Sequence, residues 1–446
     1  MKIALVNQPI GTVRPIGPEE PFSGGSITLW NYHMARELAD GHDPRVLTRG
    51  AGAPGAQEIH GSSFWFVDTG DDEARAGRAK RRQKLFGMAG WRPDPRRPFF
   101  ASEEYFRTYA EGVAAHVRES DCDVVSITNY SQLVPIIRRR NPDVGIHLHM
   151  QCEWLNQFDA DLIRPRLDAC DYVSGCSQFI VDQACAAYPG IGGRSFALLN
   201  GVDTETFRPD EAQKGTNVED GDLEIVYVGR ISPEKGIHFL LEAFNEIVEQ
   251  VPQARLTLIG GRSPAPYEYI VAIDPDQRVK AMAEFYTRRR STYLAHLDRL
   301  PSARASARLR YMDDMPQKSL LDAYRRAAVF VFPSAWNEPF GMPVIEAMAC
   351  ATPVVSTYSG GIPEFVEDGK TGRLVERATT APLRDALLEL LGDSEMRRRL
   401  GHAGRRHVAA EMSWADVARR YLSVMGGRAN AAGTYLVNDP VSGGSA

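Results

Sequence analysis

Short runs of aliphatic and β-branched residues recur along this chain, each followed by a polar loop and then by apolar residues at helical spacing. That alternation leaves few folds open to it. Residues 3–6 (IALV) are continuously apolar, as a strand covered on both faces of a parallel sheet must be. A Gly/Pro-rich polar stretch, 8–25, leads into SITLWNYHMARELADGH, with Leu29, Met34 and Leu38 near helical spacing and Gly41 as a stop signal. PRVLT (44–48) reads as a second strand, and the runs at 124–127, 144–148 and 172–173 extend the series. A polar stretch, 210–222, separates it from a second series with strands at 223–229, 254–260, 328–334 and 352–357. There the helix GIHFLLEAFNEIVEQVP carries apolar residues at 239, 240, 243, 244, 247 and 248. Two doubly wound α/β halves are expected, 1–210 and 223–411, without a repeat at fixed period. The small, polar tail 426–446 is expected to be disordered.

With 446 residues, each half can bury its own core without disulfides. The formal net charge of -5 argues against a nucleic-acid binder, which carries a basic excess. No apolar stretch approaches the ~20 residues of a membrane helix. The opening MKIALVNQPIG is too short for a signal peptide. Six cysteines without a CxxC pair fit reduced thiols, so a cytoplasmic location is expected. Two segments are long for connections and are expected to be helical or functional. Residues 73–97 carry nine Lys/Arg against two acids. Residues 262–308 hold Arg288, Arg289 and Arg290 with Tyr267, Tyr269, Phe285, Tyr286 and Tyr293. The 73–97 segment, with Leu85, Phe86, Met88 and Trp91 beside its basic residues, suits an anionic acceptor or an acidic lipid surface, but a solvated loop is the favoured reading.

Several motif matches fail on context. Residues 50–55 (GAGAPG) satisfy GxGxxG after a strand, but Pro54 and the polar residues beyond it start no amphipathic helix, so a flexible loop is expected. Gly369-Lys370-Thr371 resembles the end of a P-loop, yet Glu364 occupies the position of its first glycine. The pairs Asp121/Asp123, Asp159/Asp161 and Asp274/Asp276 have DxD spacing, but none ends a strand, and chance explains them better than a metal. Asn129-Tyr130-Ser131 is a sequon without a secretion signal.

The informative motifs lie in the second half. Residues 333–347 (PSAWNEPFGMPVIEA) follow a strand directly, with PFG as the entry turn of a helix and Pro343 in its first turn. Glu338 and Glu346, with seven residues between them, then stand near a helix N-terminus. Carboxylates accept from hydroxyls and a helix N-terminus attracts phosphate, so a ligand with sugar hydroxyls and a diphosphate matches the pair. In VYVGRISPEKGIHFL (226–240) a strand ends at Gly229, Arg230 stands on the loop, and Lys235-Gly236 opens a helix. A guanidinium fork and an ammonium both suit phosphate oxygens, at the strand end where open α/β sheets bind ligands. Ser359-Gly360-Gly361-Ile362-Pro363-Glu364 follows another strand and offers glycines for close backbone approach.

Taken in order, GRISPEKG, NEPFGMPVIEAMA, TPVV and GGIPEFVEDGKTGRLV resemble the retaining nucleotide-sugar glycosyltransferases of family four. Gly24-Gly25, HLHM with His149, and NGVDTETFRP (200–209) agree in the first half. The likeness is close over 225–261 and 311–376 and patchy over 1–210. It implies the GT-B fold, two Rossmann-like domains facing a cleft, with the acceptor on 1–210 and the nucleotide sugar on 223–411. Residues 412–425, with Trp414, would be the terminal helix that crosses back to the first domain.

The resemblance also implies roles. Arg230 and Lys235 would hold the donor diphosphate, with no metal and no cofactor beyond the nucleotide sugar itself. Glu346 would accept from the ribose hydroxyls, and Glu338 would face the donor sugar. Backbone N–H groups of Phe340, Gly341 and Met342 would contact sugar hydroxyls and phosphate, and Gly24 and Gly25 would let their loop approach the phosphates. His149 corresponds to a His near the donor sugar, with His147 on the same strand face as the open alternative. The implied reaction is transfer with retention, from a donor that is UDP-linked by family prevalence and carries Glc or GlcNAc. The acceptor would be a hydroxyl of an inositol phosphate, a cyclitol or natural product, or a glycan precursor. Glu19, Glu20, residues 129–131 and 151–158 would recognise it. Glu153 and Asp159 read as exposed helix-start acids, and no covalent nucleophile is named. The alternatives are a peripheral membrane enzyme with a lipid-linked acceptor, or a non-catalytic protein that binds a sugar nucleotide.

Overall fold

Every apolar run named above becomes a strand, and those strands lie parallel. The computed structural model describes residues 1–10, 25–50, 54–88, 94–210, 221–286 and 291–426. The described residues group into two units, one of 1–10, 25–199 and 414–426, the other of 200–413.

The first unit is built on β1 (Lys2–Val6), β2 (Asp43–Thr48), β3 (Gly55–Ile59), β4 (Ser62–Phe66), β5 (Val124–Thr128), β6 (Gly145–Met150), β7 (Tyr172–Gly175) and β8 (Ser195–Ala197). These form one eight-stranded sheet in the order β3-β4-β2-β1-β5-β6-β7-β8. All neighbours are parallel except β3 and β4. All five residues of β5 are buried, as a strand covered on both faces requires. The helix Ser26–Leu38 buries Ile27, Trp30, Met34 and Leu38, while Leu29 is only half-buried. Its core stripe therefore runs one position after Leu29, because the larger indole takes the inward site.

The second unit holds β9 (Leu223–Val228), β10 (Ala254–Ile259), β11 (Leu309–Met312), β12 (Val329–Phe332), β13 (Val354–Thr357) and β14 (Arg373–Val375). Its six-stranded sheet runs β11-β10-β9-β12-β13-β14, parallel throughout. The helix Ile237–Gln250 covers it with Leu240, Leu241, Ala243, Phe244, Ile247 and Val248 buried. Each large apolar side chain so placed contributes about 1.5–3 kcal/mol. In such sheets the ligand crevice lies outside the carboxyl ends of the strands where the order reverses. That point falls between β1 and β5 in the first unit and between β9 and β12 in the second.

One segment differs from expectation, and a second has a feature its sequence did not announce. The GxGxxG segment is not one long loop: Gly55 opens β3, which pairs antiparallel with β4 as far as Ile59 opposite Ser62, and residues 51–53 lie outside the described ones. The hairpin turns on His60 and Gly61, both at positive φ. Its β3 exposes Gln57 and Glu58, so alternation is hard to see there. The 262–308 segment has a small core of its own. Ala265, Ile270, Val271, Val279 and Met282 pack with Ala335, and Phe239, Phe285, Tyr286 and Trp336 flank them.

The helix Trp414–Met425 belongs to the first unit, where the Trp414 indole stacks on His33 at 4.7 Å. Among the described residues no helix is long and apolar enough to cross a membrane.

Candidate functional site

In the second unit the reversal point brings two of the motifs side by side. The loop after β9 runs through Gly229 and Arg230 to a 3-10 turn, Pro233–Lys235, and to Gly236 at φ 71. A Cβ on Gly236 would stand 2.0 Å from the carbonyl oxygen of Pro333, in the loop after β12. Only glycine permits both that backbone and that approach. Ala335 N–H donates to Glu234 O at 2.9 Å, so the two loops are zipped by backbone as well.

This contact sets Lys235 beside Glu338. Lys235 Nζ donates to Glu338 Oε2 at 2.6 Å, and both side chains are about nine-tenths buried. Ser334 Oγ (3.1 Å) and Trp336 Nε1 (3.0 Å) donate to the same oxygen. The Lys235 ammonium also lies 5.2 Å from the Trp336 ring and 5.4 Å from that of Phe332. The aromatic faces and the carboxylate hold the ammonium in a fixed place. Arg230 projects further, with its side chain about half exposed and its Nε 3.9 Å from Glu234 Oε1.

The third motif clamps the second from below. Glu338 N–H donates to Ser359 Oγ at 2.9 Å, Ser359 Oγ donates to Trp336 O at 2.5 Å, and Gly361 N–H donates to Glu338 O at 2.9 Å. Gly360, at φ 51, lies so close that a Cβ would stand 2.0 Å from Glu338 O. Phe340 is buried with its ring 5.0 Å from Phe365. Gly341, at φ 99, starts the helix Met342–Ala349, whose N-terminus has no side-chain cap and no acid in its first turn. Those first N–H groups carry the positive end of the helix dipole.

Glu346 lies one turn further along that helix, buried. Tyr324 OH donates to its Oε2 at 2.7 Å and Gln317 Nε2 to its Oε1 at 2.6 Å. Burial pushes its carboxyl up to about 7, and the two donors offset only part of that.

In the first unit His149 lies on β6, buried, opposite Thr128 of β5 and Ser174 of β7. Its Nδ1 is 2.8 Å from Ser174 Oγ, its Nε2 is 2.7 Å from Gln151 Nε2, and its ring stacks on Trp30 at 4.4 Å. Burial, and after it the neighbouring His147, hold His149 well below the usual imidazole range, so it is neutral. His147 shares that face and contacts the same hydroxyl, Ser174 Oγ, at 2.7 Å. Gly25 caps the helix Ser26–Leu38 at φ -68, and a Cβ there would meet nothing. Gly24, Glu19 and Glu20 lie outside the described residues.

Of the residues expected to meet an acceptor, several serve the fold. Trp154 and Phe158 stack at 5.5 Å in a cluster with Phe100. Asn129, at φ 62, accepts Gln151 N–H at 2.6 Å, and the buried Arg166 donates to Ser131 Oγ at 3.2 Å and Ala101 O at 2.6 Å. The DxD pairs are engaged locally: Asp159 caps a helix and accepts from Arg97, and Asp276 caps another and accepts from Arg377. The basic segment begins as the helix Asp72–Met88, with Arg75, Arg78, Lys80, Arg81 and Arg82 exposed and Leu85 64% exposed. Its continuation over 89–93 lies outside the described residues.

Sequence reasoning missed Ser334, Trp336, Gln317 and Tyr324. The first two stand inside the quoted motif, and their even spacing before Glu338 was a usable signal. Gln317 and Tyr324 lie 29 and 22 positions before Glu346, with nothing local to mark them.

Comparison with known proteins adds the following. The family model described as "Glycosyl transferases group 1" matches residues 209–407, which include GRISPEKG, NEPFGMPVIEAMA, TPVV and GGIPEFVEDGKTGRLV. The alpha-maltose-1-phosphate synthase of Mycobacterium tuberculosis is 33% identical over 337 residues, 73% of this chain and 78% of the relative. The D-inositol 3-phosphate glycosyltransferase of Frankia alni is 36% identical over 230 residues, half of each chain. Among solved structures, HepE of Anabaena in complex with UDP and glucose superposes with a TM-score of 0.65 over 96% of this chain and 100% of that one, at 16% identity.

Proposed function

Because this chain belongs to the group 1 glycosyltransferases and has their GT-B fold, we propose that its second unit binds the nucleotide sugar through the loops after β9 and β12. Transfer of a sugar from a nucleoside-diphosphate donor is the activity the family shares. The finer reading is transfer with retention from a UDP-sugar, Glc or GlcNAc, to a hydroxyl of a phosphorylated sugar or cyclitol. Two relatives and one structural neighbour support its terms: the relatives are named for maltose 1-phosphate and inositol 3-phosphate, and the neighbour is in complex with UDP and glucose.

One observation carries this reading: Lys235 and Glu338, from loops far apart in sequence, meet at 2.6 Å at the carboxyl end of the sheet's reversal point. Lys235 and Arg230 are proposed to neutralise the diphosphate, and the uncapped N–H groups of Phe340, Gly341 and Met342 to bind phosphate and sugar oxygens. Two fixed cations and a helix end suffice for the leaving group, so the proposed site works without a metal. Glu338 then accepts from a sugar hydroxyl and stabilises positive charge at the anomeric carbon. Glu346 accepts from the ribose. His149, neutral in its buried place, serves the sugar end by hydrogen bonding and not as a base. Gly25 leaves room for the phosphates.

In the proposed step the bond from the anomeric carbon to the diphosphate oxygen breaks and the acceptor oxygen bonds to that carbon on the same face. The acceptor proton passes to the departing phosphate oxygen. The test is turnover of a panel of nucleotide sugars with phosphorylated sugars and cyclitols as acceptors, with product configuration read by proton NMR coupling. Product of the donor's own anomeric configuration is expected; an inverted product contradicts the retaining step.

A further inference from the structure

All three side-chain donors to the Glu338 carboxylate meet on one of its two oxygens. Lys235 Nζ donates to Oε2 at 2.6 Å, Trp336 Nε1 at 3.0 Å and Ser334 Oγ at 3.1 Å. An ionised carboxylate has about four acceptor positions, shared between its oxygens. Oε2 is therefore filled, and Oε1 keeps its own. Among the described residues nothing donates to Oε1, and it is not sealed from water as the unpaired Oε1 of Glu234 is. Glu338 is anchored by one oxygen and offers the other.

The anchors are of two kinds. Lys235 is a cation that comes from the loop after β9, whereas Ser334 and Trp336 are neutral donors on the same loop as Glu338. A bound diphosphate competes for the ammonium, since charged phosphate oxygens make the stronger bonds with a charged donor. An ammonium drawn toward phosphate leaves the two neutral donors to hold the carboxylate. Trp336 touches both members of the pair: its ring lies 5.2 Å from the ammonium while its Nε1–H goes to Oε2.

The indole is itself held in place. Ala335 and Trp336 pack against Ile270, Val271, Val279 and Met282 of the segment between β10 and β11. That segment is tied to both loops of the site. Ala265 N–H donates to Ser232 Oγ at 3.0 Å, in the loop after β9. Asp276 Oδ2 accepts from Arg377 Nη2 at 3.1 Å, and Arg377 Nη1 donates to Asn337 Oδ1 at 2.5 Å, between Trp336 and Glu338 in the chain.

We propose that Trp336 is a positioning residue for sugar transfer: its indole N–H, with the Ser334 hydroxyl, keeps Glu338 Oε2 in place while the diphosphate draws on Lys235, so that Oε1 faces the hydroxyl of the sugar. This inference rests on the sugar-transfer reading above, and the anchoring of Glu338 by one oxygen stands without it.

The experiment compares the full chain with its Trp336→Phe and Ser334→Ala variants, in crystal structures and in kinetics with the nucleotide sugar the enzyme uses. Phenylalanine keeps an aromatic face for the ammonium and an apolar ring for the core, and loses the N–H. Each variant is expected to lower kcat about 10-fold, with the donor KM and the dissociation constant of the free nucleoside diphosphate changed less than about twofold. The Glu338 carboxylate is expected to hold Trp336 Nε1–H on Oε2 in the wild-type crystal and to turn away from that place in Trp336→Phe. Unchanged kcat in both variants overturns the proposal. So does a nucleoside diphosphate affinity that falls as far as kcat, because Trp336 would then support the whole loop and not the sugar end alone. A wild-type crystal in which Trp336 leaves Glu338 overturns the anchoring itself. The expected carboxylate positions in a chain that turns over no nucleotide sugar overturn the functional reading and the role of Trp336 in transfer, while the anchoring holds.

Discussion

Lys235 Nζ and Glu338 Oε2 stand 2.6 Å apart although 103 positions separate them in the chain. Their meeting follows from topology. β9 and β12 are sheet neighbours, and each motif is the loop that leaves one of them. With both side chains about nine-tenths buried, each partner is the other's main compensation for lost water.

Lys235→Met therefore leaves a buried carboxylate without its cation. A loss of about 3 kcal/mol of stability is expected, read as the shift of the urea midpoint. Adding Glu338→Gln should return most of that stability while leaving donor turnover abolished. If the double variant stays as unstable as the single one, the pair is not what holds these loops.

Glu346 makes the protein's stability fall as pH rises. Its carboxyl titrates near 7 in the fold against 4.5 ordinarily, so between those values the folded chain binds a proton that the unfolded chain has released. The fold is thus favoured by this group below pH 4.5, loses that advantage up to pH 7, and levels off above. Glu346→Gln is expected to be the more stable chain at pH 8, by on the order of 3 kcal/mol, and equal to wild type near pH 4. The same variant should bind the donor more weakly, because an amide accepts poorly from two ribose hydroxyls.

Buried histidines act in the opposite sense. His116 is held down at about 4, His147 and His238 at about 3, and His149 well below its ordinary value, each by burial first. Their folded values lie below the unfolded value of ~6.5, so stability is complete above that pH and is lost as pH falls through 6 and 5. Four such groups outweigh Glu346 in that window. Urea midpoints measured from pH 7.5 down to 5 should fall steadily, and a midpoint that rises would contradict the neutral, buried state of these rings.

Gly360 and Gly25 separate fold from ligand. Gly360→Ala drives a Cβ to 2.0 Å from Glu338 O at a φ of 51, so it should cost about 2 kcal/mol or more and displace Glu338. Gly25→Ala meets nothing within 4 Å at a φ of -68, so the thermal midpoint should stay within a degree or two. Donor affinity should nonetheless fall about 10-fold if phosphates come close to that backbone. Equal donor affinity in Gly25→Ala removes this loop from the phosphate site.

The strands and the three second-half motifs were legible because each is a local pattern: an apolar run, a glycine at a strand end, an acid beside a helix start. The partners of those motifs were not. Tyr324 and Gln317 reach Glu346 from a separate segment, and Ser174 reaches His149 from the neighbouring strand, which only sheet order reveals. The turn at His60-Gly61 was hidden for a different reason: histidine takes positive φ there in place of the usual Asn or Asp. In 262–308 the aromatics are partly core, which their spacing did not reveal, as Tyr293 shows, fully buried with its OH 3.1 Å from His238 Nδ1.

The central claim is that the loops after β9 and β12 bind a nucleotide sugar through Arg230 and Lys235. Thermal stabilisation by a panel of nucleotide sugars, with EDTA present, tests it most directly. A donor at about 100 times its dissociation constant should stabilise the wild-type chain by about 2.7 kcal/mol, and most of that should vanish in Arg230→Ala. Equal stabilisation of wild type and Arg230→Ala, or none by any nucleotide sugar, would contradict it.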